Sequence, residues 1–244
     1  MQKFFISLEE FEATTIVGEA AYQIKNVLRG KVGDQVLVGL QGKTYLAEVT
    51  EIHNKEIKFR VVKEETGNFE LPVFVSLFQG YPKGDKLESI IKYGTQLGVG
   101  EIHPTLMSRS LFKLDPKKRE SKLERFNKIA KEAAEQSFRT IVPQVHDIKK
   151  VKELDFSTFT IKLLCYEESA KRKEVSLFKN MIQNAKPSDK IAILVGPEGG
   201  IAPEEVEYLM SQGFVCVGLG PRILRTETVI YYLLSAMSYA WELK

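Results

Sequence analysis

The chain has 244 residues, 43% of them hydrophobic and 27% charged, enough to bury a core in one large domain or in a small domain joined to a larger one. No apolar run reaches the length of a membrane span, and the charges at Lys3, Glu9 and Glu10 come too early for the apolar centre of a signal peptide, so a cytoplasmic protein is expected. A net charge of +3 permits an anionic partner without demanding one.

The first seventy residues read as β. The short run KFFI is followed by VGDQVLVGL and KTYLAEVTEI, which flank a hairpin-like turn at Gln41-Gly42, and then by IKFRVVKEE. Short strands with such turns predict a small barrel. One helix is expected within it, from Glu19 to a stop at Gly30. The pattern changes near residues 66–72. LPVFVSLF is continuous and apolar, as in a strand buried on both faces. A helix should follow from Asp85, with Asp85 and Glu88 as a capping box, Leu87, Ile90, Ile91 and Leu97 on one apolar face, and Gly98 as its end. EIHPTLM reads as a strand. Asp115-Pro116 opens a long helix with Leu123, Phe126, Ile129, Ala130 and Ala133 inward. Strands recur at TIVPQV, FTIKLLCYE, KIAILVG and FVCVGLG, and TETVIYYLLSAMSYAWEL closes the chain as a helix. Alternating strand and helix predicts a mostly parallel sheet covered on both faces. The expected division is 1–69 as the barrel and 70–244 as the α/β domain.

Cys165 and Cys216, each within a strand-like run, are expected as buried, reduced thiols. His53, His103 and His146 are widely spaced and form no metal-ligand pattern with them, so no metal is expected.

Three apolar strands end in unusual loops, at residues 163–170, 193–205 and 217–228, and in an open α/β sheet ligands bind at the carboxyl ends of strands. In Val195-Gly196-Pro197-Glu198-Gly199-Gly200 the glycines let backbone groups approach a ligand, and Glu198 sets one carboxylate among neutral backbone. Pro203 then opens a helix whose first turn carries Glu204 and Glu205, which oppose a phosphate there. Neither GxxxxGK[ST] nor GxGxxG is present. The loop therefore suits a neutral or cationic ligand held by backbone, and it is equally compatible with a ligand-free tight turn. The third loop, Leu219-Gly220-Pro221-Arg222-Ile223-Leu224-Arg225-Thr226-Glu227-Thr228, gathers two arginines, and Thr226 or Thr228 is placed to cap the last helix. From Lys113 to Lys131 eight Lys/Arg stand against three acids, which reads either as a track for phosphates or as a solvated helix face.

ILVGPEGG followed by LGPRILRTET resembles the RsmE family of 16S ribosomal RNA uridine N3-methyltransferases, in the SPOUT class of S-adenosylmethionine-dependent enzymes. KNVLR with KVGD (25–34), KGDKLE (83–88), QLGV (96–99), SRS (108–110) and KIAKEAAEQSFR (128–139) follow in that family's order, so the likeness spans nearly the whole chain. The sequence departs from the family pattern at Gln23, Tyr93, Gln96, Ser108 and Val229, mostly outside the cofactor loops.

The resemblance implies a PUA-like N-terminal barrel, a trefoil-knotted α/β domain and a homodimer. It implies S-adenosylmethionine held by Val195, Gly196, Pro197, Glu198, Gly199, Gly200, Leu219, Gly220, Ile223, Leu224, Arg225, Thr226 and Thr228, and 16S ribosomal RNA of the small subunit as the partner. Arg225 is the candidate for stabilising negative charge on the uracil oxygens, and Glu198 is a candidate base, an orienting group, or a cap for neighbouring N–H groups. Lys25, Arg29, Lys31, Arg109 and Arg139 are the candidates for RNA contact. A methyltransferase for another RNA and a non-catalytic RNA-binding module are the competing readings.

Overall fold

The fold is given by a computed structural model that describes residues 1–67, 69–111, 116–168 and 176–243. The chain forms two compact units, Met1–Glu70 with Ala134–Val142, and Leu71–Ala133 with Pro143–Lys244.

The first unit is a five-stranded sheet in the order β1-β3-β4-β5-β2. Its strands are β1 (Lys3–Phe5), β2 (Thr15–Val17), β3 (Gln35–Leu40), β4 (Lys43–Ile52) and β5 (Glu56–Glu65). Gln41 and Gly42 both have positive φ, 47° and 79°, and close the β3–β4 hairpin as a two-residue turn of the kind the sequence signalled. Register shifts at Leu46/Ala47 and Val49/Glu51 bend the β4–β5 ladder and curl the sheet around Phe4, Ile16, Val38, Val49, Ile57 and Phe59. Helix α1 (Leu8–Glu12), capped by Ser7 and Glu10, precedes β2, and neither element is among those read from the sequence. The expected helix from Glu19 to Gly30 is α2 (Gly18–Tyr22) followed by a π-helical turn over Gln23–Val27. Arg29 at φ 55° then reverses the chain, and a Cβ at Gly30 would sit 3.0 Å from Ile24 Cγ2.

Ala134–Val142 belongs to this first unit, whereas the sequence placed it with the α/β domain. Polar side chains tie it there. Arg139, 2% exposed, lies against the Glu70 carboxylate, which also accepts N–H groups from Thr140 at 2.9 Å and Ile141 at 3.3 Å. Glu135 accepts the Phe5 N–H at 2.9 Å. The buried Lys3 ammonium donates to Thr44 Oγ1 and to the Arg139 carbonyl, each at 2.6 Å. Burial pushes the Lys3 pKa down to about 8, against the pull of the Glu70 carboxylate. Charged pairs of this kind leave no trace in a hydrophobic pattern.

The second unit is a parallel sheet in the order β12-β10-β11-β6-β7-β8, with β9 also beside β7. Its strands are β6 (Phe74–Gly80), β7 (Glu101–Leu106), β8 (Gln144–Val145), β9 (Lys149–Lys150), β10 (Ile161–Cys165), β11 (Lys190–Val195) and β12 (Val215–Val217). Its helices are α3 (Lys86–Gln96), α4 (Arg119–Gln136, of which the residues from Ala134 onward fall in the first unit), α5 (Ser176–Asn184), α6 (Pro203–Ser211) and α7 (Thr226–Glu242). The central strands β6 and β11 are buried along most of their length, as their apolar runs require. Leu87, Ile90 and Ile91 of α3 are buried as expected, and Gly98 with φ +97° ends its segment. The expected capping box at Asp85 does not form, because Glu88 turns to Arg125 at 2.7 Å. Phe126, Ala130 and Ala133 of α4 are buried, and the expected start at Asp115 lies outside the described residues. TIVPQV contributes only the two residues of β8.

Removing one partner of a buried ion pair leaves the other without compensation, at a cost of about 3–5 kcal/mol. Glu70→Ala, which strands the Arg139 guanidinium, should lower the unfolding free energy by about that amount in urea denaturation. A loss below about 1 kcal/mol would show that water reaches Arg139 and that the pair does not hold Ala134–Val142 in place.

Candidate active site

The carboxyl ends of β10, β11 and β12 and the start of α7 enclose a cavity of about 390 Å³ in the second unit, within the range of small-molecule sites. Val195–Glu198 and Gly200 line it from the loop after β11, and Leu219 and Ile223–Thr226 from the loop after β12. Gly199, Gly220 and Thr228 are not among its walls. Cys165, Tyr166 and Glu167, at the end of β10, supply a further wall. Neither cysteine is in a disulfide, and both are partly rather than fully buried; burial of the thiol, with Cys216 nearby, pushes Cys165 up to about 12, which leaves it un-ionised.

Close packing fixes the loop after β11. A Cβ on Gly80, at the end of β6, would lie 2.5 Å from the Pro197 nitrogen, so only glycine lets that strand end meet the loop. A Cβ on Gly199 would lie 3.0 Å from the Arg109 carbonyl. Arg109 Nη1 donates to the Gly199 carbonyl at 3.2 Å. Ser108 donates its N–H and its hydroxyl to the two oxygens of Glu205, at 2.8 and 2.9 Å. Glu205, in the first turn of α6 behind Pro203, is thus consumed inside the protein. The Glu198 carboxylate accepts the Lys83 N–H at 3.1 Å and the Lys86 ammonium at 2.8 Å. Burial would raise its pKa, but the Lys86 and backbone hydrogen bonds outweigh that and hold it below the ordinary carboxylate range. A carboxylate held ionised in this way is a weak base. Its contacts are those of an anchor capping neighbouring N–H groups.

Thr226 does not cap α7. The N-cap position is Arg225, whose carbonyl receives the N–H groups of Thr228 and Val229, while the Thr226 hydroxyl donates to the Gly196 carbonyl at 2.6 Å. The Arg225 side chain is exposed at the cavity wall, and among the described residues its guanidinium has no hydrogen-bond or ion-pair partner. Glu227 Oε2 is a buried acceptor without a hydrogen-bond donor, 3.6 Å from the Lys86 ammonium. The cavity therefore combines apolar walls with the Glu227 carboxylate, whose Oε2 has, among the described residues, only the Lys86 ammonium at 3.6 Å, and the exposed Arg225 guanidinium, and it suits an amphipathic ligand with polar ends.

Residues 69–238 match the model of the RNA methyltransferase domain, and residues 24–62 that of the RNA methyltransferase PUA domain. The chain is 43% identical to the ribosomal RNA small subunit methyltransferase E of Bacillus subtilis, over 100% of this chain and 98% of that protein. It is 32% identical to a protein of that kind from Borreliella burgdorferi, over 88% and 86% of the two chains. The chain belongs to the ribosomal RNA small subunit methyltransferase E family. Among solved structures, the Neisseria gonorrhoeae family member bound to S-adenosyl methionine superposes with a TM-score of 0.81 at 26% identity, over 99% of this chain and 98% of that one. The fold class is the expected one for this family of RNA methyltransferases, a parallel α/β unit with a small curled N-terminal sheet.

The basic residues singled out for RNA divide sharply. Arg29 and Lys31 are exposed in the first unit, and Lys25 there bonds Asn54 Oδ1 at 2.9 Å. Arg109 is exposed beside Gly199. Arg139 must be withdrawn as an RNA contact, because its guanidinium is buried against Glu70 and cannot reach a phosphate. The basic stretch around α4 is partly neutralised. Arg119 forms a two-point pair with Asp147, both contacts at 2.6 Å, and Arg125 pairs with Glu88, while Lys113 lies outside the described residues. Sequence reasoning missed the parts played by Lys86 and Gln79, and it named Glu205 only as opposing a phosphate, without its Ser108 partner. Gln79 was legible only as the polar residue that closes an apolar strand.

The fold also gathers Glu101, His103 and His146, which sequence spacing kept apart. His146 Nε2 lies 2.8 Å and His103 Nε2 3.2 Å from the Glu101 carboxylate, the latter without hydrogen-bond geometry. The two imidazoles are stacked at 4.0 Å and 5°, with Phe78 on the other face of His103. His146 and Ser76 hydrogen-bond the Glu101 carboxylate, and His103 lies beside it as an ion-pair contact. Burial would push the Glu101 carboxyl up, but the His103, His146 and Ser76 contacts hold it well below the usual range. Burial, reinforced by His146, pushes His103 below its ordinary value despite Glu101.

Both groups take up protons in the unfolded chain before they do so in the native one. The stability they contribute is complete above the unfolded histidine value, about 6.5, and is lost as the pH falls. The melting temperature should therefore fall in two stages, below about pH 6.5 through His103 and below about pH 4.3 through Glu101, and Glu101→Gln should remove the second, more acidic stage. An undiminished acidic stage in the variant would place that sensitivity elsewhere.

Proposed function

We propose that this chain transfers a methyl group from S-adenosylmethionine to N3 of a specific uridine in 16S ribosomal RNA of the small subunit. The supporting observation is the cavity at the strand ends, with Arg225 exposed on its wall and without a partner among the described residues. Ribosomal RNA is the substrate that the names of the relatives give, and the cofactor is the molecule bound in the Neisseria member.

S-adenosylmethionine would supply a methyl group on a positively charged sulfur. The backbone of Val195–Gly200 and the apolar Leu219, Ile223 and Leu224 would hold it, and Glu167 and Glu227 offer carboxylates to its cationic parts. In this reading the nucleophile is the N3 lone pair of the uracil anion. Uracil N3 carries a proton at neutral pH, which must pass to water before the anion can attack; the pair of the broken methyl–sulfur bond would stay on the sulfur, leaving a neutral thioether. Arg225 lowers the cost of that anion by donating to the oxygens beside N3, a task that suits a planar guanidinium with several donors. Holding the two reactants in line supplies much of the remaining acceleration. Glu198 acts as the anchor of its loop through Lys83 and Lys86, and not as the base.

The exposed Arg29 and Lys31 of the PUA-like unit and Arg109 beside the cavity loop are the proposed phosphate contacts, together with Lys25. The reading carries with it a trefoil knot and a homodimer. The chain returns from the edge strand β12 to the ends of β11 and β6 before α7 begins, which is the kind of crossing a knot uses.

The test is methyl transfer from labelled S-adenosylmethionine to undermethylated small ribosomal subunits, with the product nucleoside identified. N3-methyluridine is expected, and a different methylated nucleoside would move the proposal to another atom or another RNA. Arg225→Ala should lower turnover by about a hundredfold while cofactor affinity changes by only a few-fold. Equal losses in both would remove the charge-stabilising role. Leu219→Trp, which fills the cavity, should abolish cofactor binding in a calorimeter with the fold intact by circular dichroism.

A further inference from the structure

Gln79 is wholly buried at the end of β6, outside the cavity, in a strand whose other inward positions are almost all apolar. Its amide nitrogen donates to Thr226 Oγ1 at 2.8 Å and to the Gly80 carbonyl at 3.0 Å. The Thr226 hydroxyl spends its single proton on the Gly196 carbonyl, 2.6 Å away. The hydroxyl oxygen can therefore only accept from Gln79, and this fixes which end of the amide faces it. Both amide protons are thus in use, while Gln79 Oε1 is buried with no donor among the described residues. Leaving a buried acceptor unpaired is costly, so an apolar residue at this position would relieve a penalty that the glutamine accepts. What the glutamine adds is the relay from Gln79 N–H to Thr226 O–H to the Gly196 carbonyl. It joins the end of β6, the loop after β11 and the first residue of α7, three segments far apart in sequence. Gly196 and Thr226 both line the cavity.

We infer that Gln79 is a positioning residue for the methyl-transfer site, and that it sets the shape of the cofactor cavity through Thr226 and Gly196 without touching the ligand. With the Thr226 hydroxyl engaged from behind, the Gly196 carbonyl is held against the first residue of α7, and the loop after β11 is pinned beside the loop after β12. Without Gln79 the hydroxyl keeps one partner and gains freedom to rotate, so the two loops can drift apart. A residue that only supported folding would change the fraction of native protein and its melting temperature. It would leave the affinity of the native fraction as it was.

The inference rests on the cavity being the S-adenosylmethionine site. The experiment is calorimetric binding of S-adenosylmethionine to the full chain and to Q79M, T226V and the double variant, with melting temperatures recorded alongside. Q79M should weaken binding about tenfold, the loss of one buried hydrogen bond. T226V should do the same, and the double variant should be no more than about twofold worse than either, because both cut one relay. Binding by Q79M within twofold of the parent, or losses that multiply in the double variant, would overturn the inference. Should Q79M fail to fold, Q79E keeps the test open. It retains the shape and a single donor only while its carboxyl is protonated, so its affinity relative to the parent should fall as the pH rises, and a constant ratio would sink the idea. Leu219→Trp separates the two failures: if it leaves binding untouched, the cavity reading fails, and if it abolishes binding while Q79M does not weaken it, only the relay fails.

Discussion

A glutamine amide, a threonine hydroxyl and a glycine carbonyl, in contact end to end, hold together the part of this molecule that has no regular structure of its own. The parallel sheet delivers its strand ends to one edge, but a strand end leaves its last backbone groups without ladder partners. At this edge those groups are met by Gln79, Thr226 and the packing of Gly80 on Pro197, and the loops between them take one shape. Everything proposed for the site depends on that shape. The exposed guanidinium of Arg225 has a defined place because the residue after it is fixed from inside, and Glu198 has one because Lys86 and the Lys83 N–H hold its carboxylate.

The charges sort into two kinds once they are placed. Glu205, Glu70, Arg139 and Lys3 are consumed within the protein, each with partners that repay burial. Arg222 and Arg225 are exposed on the cavity wall and, among the described residues, have no such partner. A guanidinium is always charged and always seeks acceptors, so these two are where an anionic substrate gains most. The formal net charge of +3 gave no hint of this division, because it counts the two kinds alike.

Ser108 illustrates how a local departure is absorbed. It is one of the departures from the family pattern, beside Arg109, and here it donates twice to Glu205 of the neighbouring helix. The turn that presents Arg109 is thereby tied to the segment that presents the glycine loop. The tie belongs to the fold, and the sequence of either segment by itself does not contain it.

The sequence by itself determined the order of the elements, the parallel character of the second sheet, the Gln41-Gly42 hairpin and the three loops where chemistry was to be sought. These follow from periodicity, from turn-forming residues and from the position of loops after strands, all of them local or nearly so. It did not determine that Ala134–Val142 joins the first unit, that Glu88 leaves Asp85 for Arg125, that Arg139 is buried, or that His103 and His146 stack on one carboxylate. Each of these is a polar contact between residues remote in the chain. A buried polar group takes whichever partner the folded backbone brings within about 3 Å, and only the tertiary structure decides which one that is.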